Sequence, residues 1–207
     1  MKSIASLLTL TFITITTFGQ TQFEKGYFID KKDKKVECYI KNMEWSTNPT
    51  EISYKLDLSS KAQKAGIDNI KEFVISDKCK YINAHVKIDR STKPSPGKNE
   101  LAPVWEMDDL FLKVILEGKA DLFGYNDRKV TRFFYSLNDT VISPLIYKEI
   151  YNGLTVIKNT DFRQQLWDKL RVQKATFEMI RSINYTADDL KKYFEIYNED
   201  FGDKAMK

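Results

Sequence analysis

Histidine is almost missing from this chain: His85 is the single one in 207 residues. Any Ser-His-Asp or Cys-His nucleophilic site would have to be built on it. It falls on the polar-leaning side of a candidate strand, where an exposed or hydrogen-bonded side chain is the plain expectation. Cysteine is nearly as scarce, with Cys38 and Cys79 alone. A zinc site takes three or four His, Cys or acidic ligands, and these residues are poor material for one. No H-E-x-x-H, G-x-S-x-G or G-x-G-x-x-G motif occurs. A P-loop is missing too. Its nearest approach is Gly97-Lys98, followed by Asn99 in a proline-bearing stretch with no strand-to-helix context. No catalytic residue, cofactor, metal, nucleotide or nucleic acid is therefore expected. Glycine and proline are few, at 8 and 5, and no long apolar run follows the first twenty residues, so a later membrane span is not expected.

What the chain does have is aromatic residues: 13 Phe and 11 Tyr. With charged residues at 30% and hydrophobic ones at 42%, this is a globular composition that favours a β-rich body with an aromatic core. The start, "MKSIASLLTLTFITITTFGQ", has a positive Lys2, an apolar run from Ile4 to Phe18 and small residues at its end. It reads as a signal peptide over residues 1–19, with the mature chain beginning at Gln20. Export would place both cysteines in an oxidising compartment, where Cys38 and Cys79 could form a disulfide or stay as two buried free thiols. Membrane association would be peripheral at most.

"GYFIDKKDKKVECYIKN" reads as a hairpin, with arms Gly26 to Ile29 and Val36 to Ile40. Lys31, Lys32, Lys34 and Lys35 surround Asp33 without interleaved aromatics, which fits a charged hairpin tip better than a nucleic-acid patch. Asn48-Pro49 signals a turn before a strand at Glu51 to Leu56. Further strands are expected at Ile67 to Ile70, Phe73 to Ile75 and Lys80 to Ile88. In the last, Tyr81, Asn83, His85 and Lys87 alternate with Ile82, Ala84, Val86 and Ile88, the pattern of a half-buried antiparallel strand.

Residues 89–107 hold Pro94, Pro96 and Pro103 and read as a long exposed loop, a flap or a sub-domain break, with Trp105 anchoring its end to the body. Three strands follow in "DLFLKVILEGKADLFGYNDRKVTRFFYSL". Gly118 is expected at a positive φ in a type II′ turn. That turn pairs Leu116 with Asp121, Val114 with Phe123 and Leu112 with Tyr125. For the next strand two registers stay open, placing either Val130, Arg132 and Phe134 or Phe133, Tyr135 and Leu137 on the same face. Either way both faces carry aromatics, so the sheet needs cover on both sides. "PLIYKEIY" reads as one more edge strand. Phe162, Leu166, Trp167 and Leu170 form an apolar stripe at helical spacing, capped by Asn159 or Thr160. Thr186-x-x-Asp189 opens a second helix whose stripe is Leu190, Tyr193, Phe194 and Tyr197. Trp167 is expected to pack against the aromatic sheet.

The segments "FEKGYFID", "IKNMEWSTNPTEISYK", "DLFLKVILEGKADLF", "RFFY" and "DFRQQLWDKL" resemble an uncharacterised family of small secreted proteins from flavobacteria and relatives. Some relatives carry a tRNA-modification GTPase label, which the missing P-loop does not support. "NDTV" at Asn138 to Val141 resembles the O-glycosylation acceptor of this bacterial group, which implies a sugar on Thr140.

The expected fold is α+β: an antiparallel meander body with two C-terminal amphipathic helices, forming a single domain over residues 20–207. The expected role is an envelope-associated binding or interaction protein whose partner is an envelope protein or a glycan. Two alternatives are a hydrolase with a cryptic carboxylate site, for which the adjacent pairs Asp108-Asp109 and Asp188-Asp189 offer acids, and a structural accessory of an outer-membrane assembly.

Overall fold

A computed structural model describes residues 22–94, 100–138, 140–152 and 154–201. The expected leader and the start at Gln20 lie outside them. The fold is α+β, dominated by one ten-stranded antiparallel sheet in the order β10-β9-β8-β7-β6-β5-β1-β2-β3-β4. Its N-terminal half is β1 (Phe23–Asp30), β2 (Lys35–Lys41), β3 (Glu51–Lys55), β4 (Gln63–Gly66) and β5 (Ile70–Ile75). Its C-terminal half is β6 (Cys79–Ile88), β7 (Glu106–Leu116), β8 (Ala120–Asn126), β9 (Thr131–Leu137) and β10 (Ser143–Pro144). A separate hairpin, β11 (Lys148–Asn152) with β12 (Thr155–Asn159), follows, and then three helices among the described residues: α1 (Phe162–Lys169), α2 (Phe177–Ser182) and α3 (Ala187–Phe201).

The first hairpin forms because Val36, Cys38 and Ile40 alternate with charged or polar neighbours and face inward with Phe28. Asp30 closes its tip by accepting from the Lys32 and Lys34 backbone N–H groups, with Asp33 in the left-handed region. The tip lysines are exposed, and Lys35 and Lys71 pair with Glu37 and Asp33. Gly26 has a definite reason. A Cβ there would lie 2.1 Å from the Val74 carbonyl oxygen of the neighbouring strand.

Strand β6 is the seam between two curls. Tyr81 points to one face, joining Phe73 and Phe111 in an N-terminal core that also holds Phe28, Cys38, Ile40, Ile52 and Ile75. Ala84, Val86 and Ile88 point to the other face, joining Leu110, Leu112, Phe123 and Phe134. That second core is enclosed because β6 to β10 bend round until β10 packs back against β6, a small barrel-like curl. The outer face of the same strands carries Ala120, Leu122, Phe133 and Tyr135, and it is covered by Phe162, Leu166, Ile180, Leu190, Tyr193 and Phe194 from the helices. The aromatic sheet is thus covered on both sides, as its composition demanded.

Several expectations need correction. Ile67 to Asn69 is a turn, and the strand lies just before it, as β4 with the more polar run Gln63–Gly66. Val114 does face Phe123, but a bulge at Ile115 then sets Leu116 opposite Leu122 instead of Asp121. Gly118 has no positive φ. It is small because a Cβ would collide with the Asn198 side chain, which brackets Ala120 by accepting from its N–H and donating to its carbonyl. On β9 the register places Phe134 opposite Phe123 and Arg132 opposite Tyr125. The two expected C-terminal helices are joined by a further short one, α2, among the described residues. The C-terminal one follows the expected stripe, and Thr186 accepts from the Asp189 N–H at its start. α1 carries no side-chain cap; its N-cap residue is Asp161.

Trp167 packs on the core that covers the sheet, but at its edge. It is half-buried at the margin of the helical core, stacked on Phe177 at 4.2 Å with the Arg171 guanidinium 4.0 Å over its ring. The 89–107 stretch does not separate two sheets, since β6 and β7 pair across it from Tyr81↔Lys113 to Ile88↔Glu106. Cys38 and Cys79 are free. They share one cross-strand row through Gly26 and Ile75, but three strand steps apart, roughly 14 Å at about 4.8 Å per step. A disulfide needs about 4.4–6.8 Å between Cα atoms. Burial pushes the Cys38 thiol up to about 11, so it is an unreactive core residue.

Candidate functional site at the mouth of the C-terminal barrel

The barrel interior is plugged at its waist by the facing pair Phe123 and Phe134, and a hollow lies on either side of it. At one end Asp121 faces Ser136 across β8 and β9. Its two oxygens are both used: Oδ1 accepts from the Gly118 N–H at 3.0 Å and Oδ2 from the Ser136 hydroxyl at 2.7 Å. Beside them is an open cleft of about 370 Å³ lined by Ile82, Val114, Glu117 and Ile142, with Thr140 at its rim. Thr140 is exposed and donates to the Leu137 carbonyl at 2.7 Å. Asp139 lies outside the described residues.

The opposite end is built differently. Asp89 ends the β6 run and is only 3% exposed. Its Oδ1 accepts from the Ser91 N–H and hydroxyl, while its Oδ2 is buried with no partner. It lines an inner pocket with Arg132, Trp105, Pro103, Pro144 and Tyr147, whose enclosed part has room for about one water-sized group. Arg132 on β9 is itself buried. Its Nε donates to the Asp89 carbonyl at 2.7 Å and its Nη1 to the Thr131 carbonyl at 2.9 Å.

Outside this pocket, and sharing Arg132 and Tyr147 with it, is a groove of about 290 Å³ that adds Ser91, Thr92, Lys129, Glu149, Tyr151 and Tyr185. Period-two alternation builds one wall. Glu149 and Tyr151 face the groove while Lys148 and Ile150 turn inward and are buried. Buried Lys148 donates to the Ala102 carbonyl at 3.1 Å, and Asn159 donates to the Leu101 carbonyl at 3.2 Å. The hairpin thereby ties down the limb that carries Pro103 and Trp105.

The segment behind the mouth has little ladder of its own, and side chains hold it in place. Gln165 accepts from the Ile146 N–H and donates to the Pro144 carbonyl. The Tyr185 hydroxyl accepts from the Phe133 N–H and donates to the Leu145 carbonyl, and burial pushes its pKa well up. Tyr147 stacks on Tyr185 with centroids 4.4 Å apart.

Glu149 is locked. It accepts from the Tyr147 hydroxyl at 2.5 Å and the Tyr151 hydroxyl at 3.0 Å, and pairs with Lys158 at 3.2 Å. The Tyr147 hydroxyl, with Lys158 and Tyr151 behind it, holds its carboxyl below the usual range. A general acid requires the reverse. Glu24, Asp30, Asp57 and Asp189 are also lowered, each chiefly by a hydrogen bond to its carboxyl.

The acidic pairs singled out in the sequence are not brought to either hollow. Asp108 pairs with Arg90 at 2.7 Å, and Arg90 also reaches Glu106 and Asp127. Asp109 faces His85 across the ladder at 3.2 Å, both well exposed. Asp189 binds back to Asn184 at the start of α3. Trp105, expected as an anchor, stays 40% exposed at the pocket's edge. Among the described residues no group of three or more His, Cys, Asp or Glu could hold a metal, and no helix is long and apolar enough to cross a membrane.

Sequence reasoning missed Asp89, Arg132 and Glu149. One signal was available: "YKEIY" alternates aromatic, charged and aliphatic residues as a strand with one buried and one presented face. Comparison of the chain with protein-family models, with curated proteins and with solved structures gives no match.

Proposed function

We propose that this is an exported, envelope-associated binding protein without catalytic activity, and that it holds its ligand at the Asp89–Arg132 mouth of the C-terminal barrel. The export half of the reading is supported by the apolar run behind Lys2. The binding half is supported by one observation above others: a prebuilt groove with polar groups around an aromatic ring. Tyr151 is 73% exposed, yet its hydroxyl is fixed by Glu149 and its strand by the buried Lys148 and Ile150. Small-molecule sites are typically concave, roughly 300–1,000 Å³, and carry a few placed polar groups on an apolar wall. The groove with its inner pocket is at the lower end of that range. Glu149, anchored by Tyr147, Tyr151 and Lys158 and held below the usual carboxylate range, fits a positioning role in a binding site better than that of a proton donor.

The test has two arms. N-terminal sequencing of native protein should read from Gln20, and a chain starting at Met1 in the cytosolic fraction would contradict export. Isotope-labelled protein covering residues 20–207 should be titrated separately with polysaccharide and protein fractions of the envelope. Saturable shifts confined to Ser91, Thr92, Arg132, Glu149 and Tyr151 are expected. Shifts elsewhere with none at these residues would remove the mouth as the site.

A further inference from the structure

Resting on that reading of the mouth, we infer that the ligand presents a single carboxylate to the guanidinium of Arg132, as a sugar acid or an acidic amino acid does. Arg132 is the one buried arginine among the described residues, 9% exposed, and it lines both the inner pocket and the groove. Its Nε and Nη1 each donate to a main-chain carbonyl, of Asp89 and of Thr131. Its Nη2 donates to nothing among the described residues. Nor is Nη2 sealed off, because among those residues the buried side-chain nitrogen or oxygen without a partner is Asp89 Oδ2 alone. Nη2 therefore keeps a solvent-facing surface, and the hollows that Arg132 lines are the space it faces. No carboxylate among the described residues pairs with this guanidinium; the Asp89 carboxyl serves Ser91 instead. Arg90 shows the contrast. It is less buried, yet Glu106, Asp108 and Asp127 all lie within ion-pair distance of it. A charge taken out of water is costly, and carbonyl dipoles offset only part of that cost. Water on Nη2 would fill the N–H groups and leave the charge. A carboxylate accepts from the planar fork and cancels it.

The charge balance of the mouth sets the valence. Arg132 and Lys129 are the cations on its walls, Asp89 and Glu149 the acids. Glu149 has its own counter-charge in Lys158. A single positive charge is left over, which matches one carboxylate and not a phosphate dianion. Beyond the carboxylate, the exposed Tyr151 ring and the Thr92 hydroxyl at the rim are placed to meet the polar body of a small acid.

The probes are matched pairs, each an acid with its neutral counterpart: glucuronate with glucose, galacturonate with galactose, and N-acetylglutamate with N-acetylglutamine. Glucose 6-phosphate is added as the dianion. Binding is read by nitrogen-resolved shifts of the mouth amides and of the Arg132 Nε–H in the chain covering residues 20–207. At least one acid should bind saturably and move the Arg132 Nε–H, and the acid that binds shows whether the source is a sugar or an amino acid. Its neutral counterpart should bind at least about tenfold more weakly, the scale of one hydrogen-bonded charge. Arg132→Lys keeps the charge but loses the fork, and should weaken the acid to a similar degree. Lys129→Ala, at an exposed position, should weaken it less. If the buried Arg132→Lys loses the wild-type near-ultraviolet dichroism, the Arg132 Nε–H shift and Lys129→Ala carry the test. A neutral counterpart that binds as tightly as its acid overturns the carboxylate and leaves the mouth as a site. Tighter binding of glucose 6-phosphate than of any acid overturns the single charge. If envelope fractions shift the mouth and no acid does, this inference falls and the mouth stands; if neither does, both fall.

Discussion

Asp121 and Asp89 sit at opposite ends of one barrel, both nearly buried, and they are treated in opposite ways. Asp121 is a finished piece of structure, each oxygen matched to a donor inside the chain. Asp89 is finished on one side only. The difference follows from what each end has to close. The Asp121 end is made of consecutive strands, so the turn at Gly118 and the facing Ser136 come with the register. The Asp89 end is assembled from remote pieces: the tail of β6, the limb before β7, β9 and the segment after β10. Remote pieces meet without a ladder to satisfy every group. A buried acceptor left without a partner beside a hollow sets this end apart from one whose polar groups are all matched.

The comparison depends on the ends being separate, and Phe134 separates them. It is fully buried and faces Phe123 across β8 and β9. Phe134→Ala should cost about 3–5 kcal/mol by urea unfolding, the usual range for a buried aromatic truncated to alanine. A loss under about 1 kcal/mol would mean that the waist is not packed and that the two hollows are one.

The next largest effect belongs to Asp121. Asp121→Ala removes both acceptors and leaves the Ser136 hydroxyl and the Gly118 N–H without them. A loss of about 1–3 kcal/mol is expected. Equal stability of Asp121→Ala and wild type would erase the contrast between the two ends.

Trp167 tests the same distinction on the outer face. Phe162, Leu166 and Phe194 are closed in by the helical core, whereas Trp167 lies at its margin between Phe177 and Arg171. Trp167→Ala should therefore cost about 1–2 kcal/mol, the scale of one aromatic stack and one exposed cation–π contact. A measured loss of about 3–5 kcal/mol would restore it to the core.

How far the sequence could be read depends on the range of the interaction that decides each feature. The β1–β2 hairpin is written in adjacent residues, as alternating Val36, Cys38 and Ile40 beyond a charged turn, and it folds as read. The stripe Leu190, Tyr193, Phe194 is equally local, and so is the helix it makes. β4 was misplaced because "QKAG" has no alternation and is held by pairing with β3. α2 is six residues long, too short for a stripe, though Thr176 caps it by accepting from the Met179 N–H. Helical spacing locates the stripe that holds Trp167 but not the stripe's centre, so it does not show that Trp167 lies at the margin. Asn48 read as a turn. It also joins the two halves of the sheet, donating to the Phe111 and Gly124 carbonyls and accepting from the Asn126 N–H. The mouth was the least legible part. Asp89 and Arg132 meet because the barrel closes, and no spacing between them records that.

The smallest stability effect is expected at Asp89. In the ligand-free fold Oδ2 contributes no bond, so exchanging the carboxyl for an amide removes nothing on that side. The Asn oxygen can still accept from the Ser91 N–H and hydroxyl, so the turn that follows β6 is kept. What changes is the second position of the side chain, from a buried oxygen without a partner to an amide nitrogen in its place. Asp89→Asn should therefore shift stability by no more than about 1 kcal/mol, since one unmet buried polar group replaces another and no hydrogen bond is lost. Paired urea titrations of Asp89→Asn and Asp121→Ala measure the contrast directly. If Asp89→Asn proves the more damaging of the two, Asp89 is structural, and the two ends of the barrel are alike.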